Sequence, residues 1–165
     1  MKIILFIFVA QLSTILHELG HAVVALIISK KDVFIIIGRT QIDSIRKVIS
    51  IGRLKIKIGR FSPVTGFAYV DESDLNRAQL VIFYLGGPLI SLLLTLVLFF
   101  TSRQISNAEV QEILQFSTVY LFIQFLVTVL PIRYPRIWGA YGNYDSDGLS
   151  VVKLFKKQDK EDNTH

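Results

Sequence analysis

Residues 3–28 read IILFIFVAQLSTILHELGHAVVALII, and this stretch decides the fold. A helix needs roughly 20 mostly apolar residues to cross a hydrocarbon core about 30 Å thick. The run exceeds that length, follows Lys2 and ends at SKKD, so it reads as a membrane span. It is too long for the apolar part of a secretory signal, and no small-residue cleavage site closes it. Its second half carries three ionisable residues, His17, Glu18 and His21. A charged side chain at mid-membrane costs about 2.5–3.5 kcal/mol on insertion scales, so such residues need a purpose there.

Outward from this stretch the same pattern recurs. Apolar runs at about 78–100 and 113–130, the latter stopped by Pro131, give two further spans. The 165-residue chain is 52% hydrophobic, with a mean hydropathy of +0.51, as a multi-pass membrane protein requires. It has no Cys, which excludes a disulfide framework, a thiolate metal site and a thiol nucleophile. Ten of its 18 Lys and Arg lie between spans one and two, and six follow span three; the opposite flanks hold only Lys2 and Arg103. By the positive-inside rule the N-terminus is outside, and the long loop and the C-terminus are cytoplasmic. These cations suit anionic lipid headgroups, at about 1 kcal/mol each near the surface, and call for no nucleic-acid partner.

The long loop does not read as helix. VFIIIG at 33–38 is β-branched and aromatic, LKIKI at 54–58 alternates apolar with basic, and FAYV at 67–70 follows the turn signal SPVTG. These residues predict a small β-sheet within 33–70, associated with the membrane, or else an ordinary soluble hairpin. Residues 145–165 form an Asp-Gly segment and a basic tail; Lys153, Lys156 and Lys157 beside Val152 and Phe155 suggest an amphipathic anchor. From Gln158 onward the tail is polar and is expected to be disordered.

HELGH at 17–21 places His17 and His21 four residues apart, on one face of a helix, where both imidazoles reach one metal ion. Neutral imidazole suits Zn²⁺, and Glu18 is placed to take a proton from water attacking a carbonyl. The bland alternative is a structural polar cluster, with Glu18 paired to an imidazole. A catalytic zinc takes three protein ligands. The remaining His, His165, ends the tail, so the third ligand should be a carboxylate beyond span three. Asp147 is the first candidate and Asp145 the reserve; Asp147, before Gly148, could instead serve only as a helix N-cap.

With these residues the chain resembles the site-2-protease-like (M50-type) intramembrane zinc metalloproteases. HELGH lies inside a hydrophobic helix; GGPL at 86–89 is similar to the family's Gly-Pro-Leu turn; VLPI at 129–132, then Asp147-Gly148, is similar to its Leu-Pro and Leu-Asp-Gly. PVTGFAYV at 63–70 resembles its membrane-associated β segment. The resemblance covers about residues 10–155 and implies a three-helix catalytic core. It implies Zn²⁺ on His17, His21 and Asp147, with Glu18 activating water. It also implies a transmembrane substrate held by strand addition and cleaved near the cytoplasmic side.

The implied location is a bacterial plasma membrane, with lipids and a regulatory membrane subunit as the expected further partners. The chain departs from the pattern in three places. Thr128 stands where the family commonly has Asn shortly before Leu-Pro, so that Asn is missing or moved to Asn143; Ser91 stands where Asn often follows Gly-Pro-Leu; and fifteen residues separate Pro131 from Asp147. The competing function is a non-catalytic zinc-binding membrane protein that binds a partner or substrate helix.

Overall fold

A computed structural model of the chain describes residues 2–39 and 47–162. The order of elements is α1 (Lys2–Ile28), β1 (Val33–Ile37), β2 (Lys47–Ile51), β3 (Leu54–Ile58), β4 (Gly66–Val70), α2 (Arg77–Ser102), α3 (Ala108–Val129) and α4 (Asp147–Asp162). The three spans read from the sequence are α1, α2 and α3. Among the described residues these three are long and apolar enough to cross a membrane. Their outer faces carry exposed Ile27, Leu89, Leu93, Val119 and Ile123, a surface that water would penalise and hydrocarbon accommodates.

Local chemistry sets the helix ends. Asn76 and Gln79 form a reciprocal capping box that starts α2, and Asn107 caps Val110 at the start of α3. Leu130, in extended conformation before Pro131, ends α3. At the end of α1 the Arg53 guanidinium donates to the carbonyls of Leu26 and Ser29, satisfying acceptors that a helix terminus leaves open.

The sheet has the order β2-β3-β1-β4, with β1 parallel to β3 and antiparallel to β4. Strand β2 was not anticipated. It pairs antiparallel with β3 through a two-residue turn at Gly52-Arg53, Gly52 taking φ +57°. One face of β1 and β4 packs on α1, so that Val33, Ile35, Val70, Ala22, Ala25 and Phe83 form the buried core. On the opposite face Phe34 and Tyr69 stack at 4.7 Å, with the Lys57 ammonium over Phe34.

Helices α1 and α2 cross at Gly20 and Gly86. A Cβ at Gly20 would lie 2.5 Å from the Gly86 carbonyl oxygen, so only glycine permits this approach. Residues 132–146 form a stemmed lobe. Its base is closed by Ser146 N–H to Ile132 O (3.0 Å) and Tyr134 N–H to Tyr144 O (2.9 Å), and its body is a short 3₁₀ stretch, Arg136–Tyr141. The expectation of a disordered tail from Gln158 is corrected in part, because α4 continues to Asp162. Gln, Lys and Glu are good helix formers and extend it.

Candidate metal centre

Positions 17 and 18 differ by about 100° around α1, so neighbouring residues serve two walls of one site. His17 and His21 face α2, whereas Glu18 faces β4. All three are buried. Gly66 lies against Glu18 and Thr14: a Cβ there would stand 2.7 Å from Glu18 Cγ and 2.8 Å from Thr14 Cγ2. The Glu18 carboxylate accepts a hydrogen bond from the backbone of Ala68.

The two imidazoles are oriented by α2. His21 Nδ1 lies 2.7 Å from the Phe83 carbonyl oxygen and donates to it, which leaves the Nε2 lone pair free. The neighbouring turn is loosened by Pro88, which has no N–H to return to the helix. His17 Nδ1 lies 2.9 Å from Ser91 Oγ, and Ser91 is almost fully buried. Gly87 leaves the space that both Nε2 atoms occupy. A Cβ there would be 2.6 Å from His17 Nε2 and nearer still to His21 Nε2.

Asp147 completes the group. Its Oδ2 lies 3.3 Å from His17 Nε2 and its Oδ1 3.5 Å from His21 Nε2, while the two Nε2 atoms are 3.3 Å apart. Ligands about 2.05 Å from an ion at tetrahedral angles stand about 3.3–3.4 Å from one another. The donor set therefore fits a metal ion: His17, His21 and Asp147 form a group that could hold one. Burial alone would raise the Asp147 carboxyl, but the neighbouring imidazoles outweigh it and hold the group below the usual carboxylate range. The imidazoles act there as protonated donors, and a metal ion would take the place of the protons on Nε2.

The capping role considered for Asp147 falls to Ser146. Its Oγ accepts from Leu149 N–H at 3.1 Å, and its own hydroxyl hydrogen goes to Leu130 O. That leaves the Asp147 carboxylate available. Asp145 is not a member of the group: it pairs with Arg133 Nε at 2.9 Å and with Lys153, and so fastens the lobe to α4. The Asn143 amide turns to Arg136 Nε at 3.4 Å, and Thr128 bonds back to its own helix at Gln124 O. Ser91 does act at the site, through His17. Reading the sequence missed this role, together with those of Phe83, Gly87 and Ser146; GGP at 86–88 was the one visible signal.

The group opens into a cavity of about 470 Å³, in the size range of binding sites. Its walls are β4 at Phe67 and Ala68, α3 at Tyr120 and Val127, and the aromatic lobe. Tyr134 stacks on Trp138 at 5.3 Å, and Phe67 meets Tyr141 at 5.0 Å and Tyr144 at 5.3 Å. Compared with protein-family models, with curated proteins and with solved structures, the chain matches none.

Proposed function

We propose that the chain is an intramembrane zinc-dependent endopeptidase of the site-2-protease-like kind, hydrolysing a peptide bond in an unwound transmembrane segment near the cytoplasmic side. The observation that carries this reading is the convergence of His17, His21 and Asp147, one donor atom from each lying within 4.8 Å of the others, with Glu18 buried beside them and bonded to β4. His17, His21 and Asp147 would hold zinc, which would supply Lewis acidity toward a carbonyl and toward water. The protein's own groups do the rest. Glu18 takes the proton from the attacking water and returns it to the departing amide nitrogen as the C–N bond breaks. The Phe83 carbonyl, which can only accept, selects the His21 tautomer, Ser91 orients the His17 ring, and the walls of the cavity limit bulk water.

The distribution of Lys and Arg supports an outside N-terminus and a cytoplasmic sheet and C-terminus in a multi-pass membrane protein. The substrate is then a transmembrane protein, with the surrounding lipids and a regulatory membrane subunit as further partners.

The test is Glu18→Gln in detergent or nanodiscs, with a panel of single-span membrane peptides that contain helix-breaking residues. The wild type cleaves within the span; the variant binds about as much zinc and cleaves nothing. Cleavage retained by the variant refutes the assigned chemistry. Zinc binding without cleavage by the wild type, across the panel, favours a non-catalytic metal-binding protein.

A further inference from the structure

Among the described residues β4 borders β1 on one side only, so its other edge is open to a further strand. Backbone parity identifies which groups face that edge. Gly38 N–H bonds Thr65 O toward β1, and residues alternate in an antiparallel ladder, so Gly66 and Ala68 turn their polar groups outward. Neither is left bare. Ala68 bonds Glu18, and Gly66 is bonded twice by a single side chain: its N–H donates to the Tyr141 hydroxyl at 2.8 Å, and that hydroxyl donates to Gly66 O at 2.9 Å. An incoming antiparallel strand would make the same two-way exchange, because a hydrogen-bonded residue pair uses both groups of one residue. Burial pushes the Tyr141 hydroxyl pKa up, so its proton is retained for donation.

The segment that delivers Tyr141 is built to hold it there. The stem of the lobe is paired, Asp145 ties it to Arg133 and Lys153, and the Tyr141 ring packs between Phe67 of β4 and Tyr134 at 5.7 Å. We propose that Tyr141 is a built-in stand-in for one residue of an extended peptide, filling the edge of β4 at Gly66 until a peptide strand pairs there and displaces the 132–146 lobe. The identity of that peptide, an unwound substrate segment, rests on the endopeptidase reading. The stand-in sits two residues from Ala68, where Glu18 is bonded, so the displaced position lies on the path by which a strand reaches the metal group.

The experiment uses the full chain carrying Glu18→Gln, so that no cleavage intervenes, and a short end-capped peptide alternating Val and Thr, which favours the extended state. Trp138 is the single tryptophan and stacks on Tyr134 in the lobe, so its emission reports displacement of the lobe. Tyr141→Phe keeps the ring and its packing while removing the hydroxyl. The expected result is roughly three- to tenfold tighter peptide binding in the Tyr141→Phe protein, since two hydrogen bonds no longer compete. Peptide binding should also shift Trp138 emission when Tyr141 is present. Without peptide, the Gly66 amide should exchange faster in Tyr141→Phe, and peptide should slow it again. Equal affinities with unchanged Trp138 emission overturn the proposal, as does Gly66 exchange that ignores the hydroxyl. If the Tyr141 effects appear but protein with Glu18 intact cleaves no substrate, the endopeptidase reading fails while the stand-in remains.

Discussion

Replacing Gly87 by Ala separates the metal centre from the fold that carries it. Alanine is favoured over glycine in a helix interior by about 1 kcal/mol, so α2 itself should gain from the change. The new methyl group, however, would stand 2.6 Å from His17 Nε2 and nearer to His21 Nε2. Regaining ordinary van der Waals separation requires the imidazoles or the helix to retreat by about 1 Å. Metal–ligand distances tolerate only about 0.2 Å, so the strain falls on the metal site. Helix α2 cannot retreat easily, because one residue away Gly86 is pressed on the backbone of Gly20. The expected outcome is a zinc affinity lowered by at least about 100-fold, beyond the usual effect of an outer-shell change. Thermal unfolding of the metal-free protein should be unchanged or slightly raised. Zinc competition against a chromophoric chelator in detergent measures the first, and a melting curve the second. Zinc affinity within about threefold of wild type, with the fold intact, would refute the argument that Gly87 makes room for the donors.

Two further predictions concern the carboxylates. Asp147→Ala should abolish zinc binding, whereas Asp145→Ala should retain it and loosen the lobe, seen as a change in Trp138 emission; metal content after dialysis reads the first effect. Beyond the C-terminal end of α1, hydrogen bonds from the Lys31 ammonium and then from Ser73 hold the Asp71 carboxyl at about 2, below the ordinary carboxylate value. A depressed carboxylate contributes stability above its unfolded pKa and loses it as pH falls through the folded one. Any difference in melting temperature between wild type and Asp71→Asn should therefore be present at neutral pH and vanish between about pH 4 and 2. It should be small, as exposed ion pairs contribute little, and a difference unchanged at pH 2 would contradict the assignment.

The features legible in the sequence were those set by local period and spacing. Apolar runs long enough to span gave α1, α2 and α3, and the four-residue spacing of His17 and His21 gave a shared helix face. The choice between Asp145 and Asp147 could only be narrowed, because it depends on where Arg133 and Lys153 lie and on Ser146 taking the cap. Strand β2 was missed although KVISI ends at a Gly52-Arg53 turn; the adjacent apolar pair Val48-Ile49, between a Lys and a Ser, masked its alternation. The order β2-β3-β1-β4, with a parallel β1–β3 pair, rests on contacts distant in sequence that no local pattern encodes. The orienting role of Phe83 is a backbone property and leaves no mark on residue type.

The Gly20–Gly86 crossing has a mechanical consequence. Sliding α1 along α2 by one residue is a shift of about 1.5 Å and a turn of about 100°, and it would bring the Leu19 or His21 side chain against the Gly86 carbonyl. Rotation is blocked at the other end as well, where Arg53 grips the Leu26 and Ser29 carbonyls. The α1–α2 pair therefore has neither piston nor screw freedom, and the two histidines ride on a rigid chassis. Helix α3 packs chiefly on α2 and scarcely on α1, and little of its span is buried. The half of the chain that carries His17 and His21 is thus locked helix to helix, whereas α3, held mainly by α2, is the element with room to tilt away from α1.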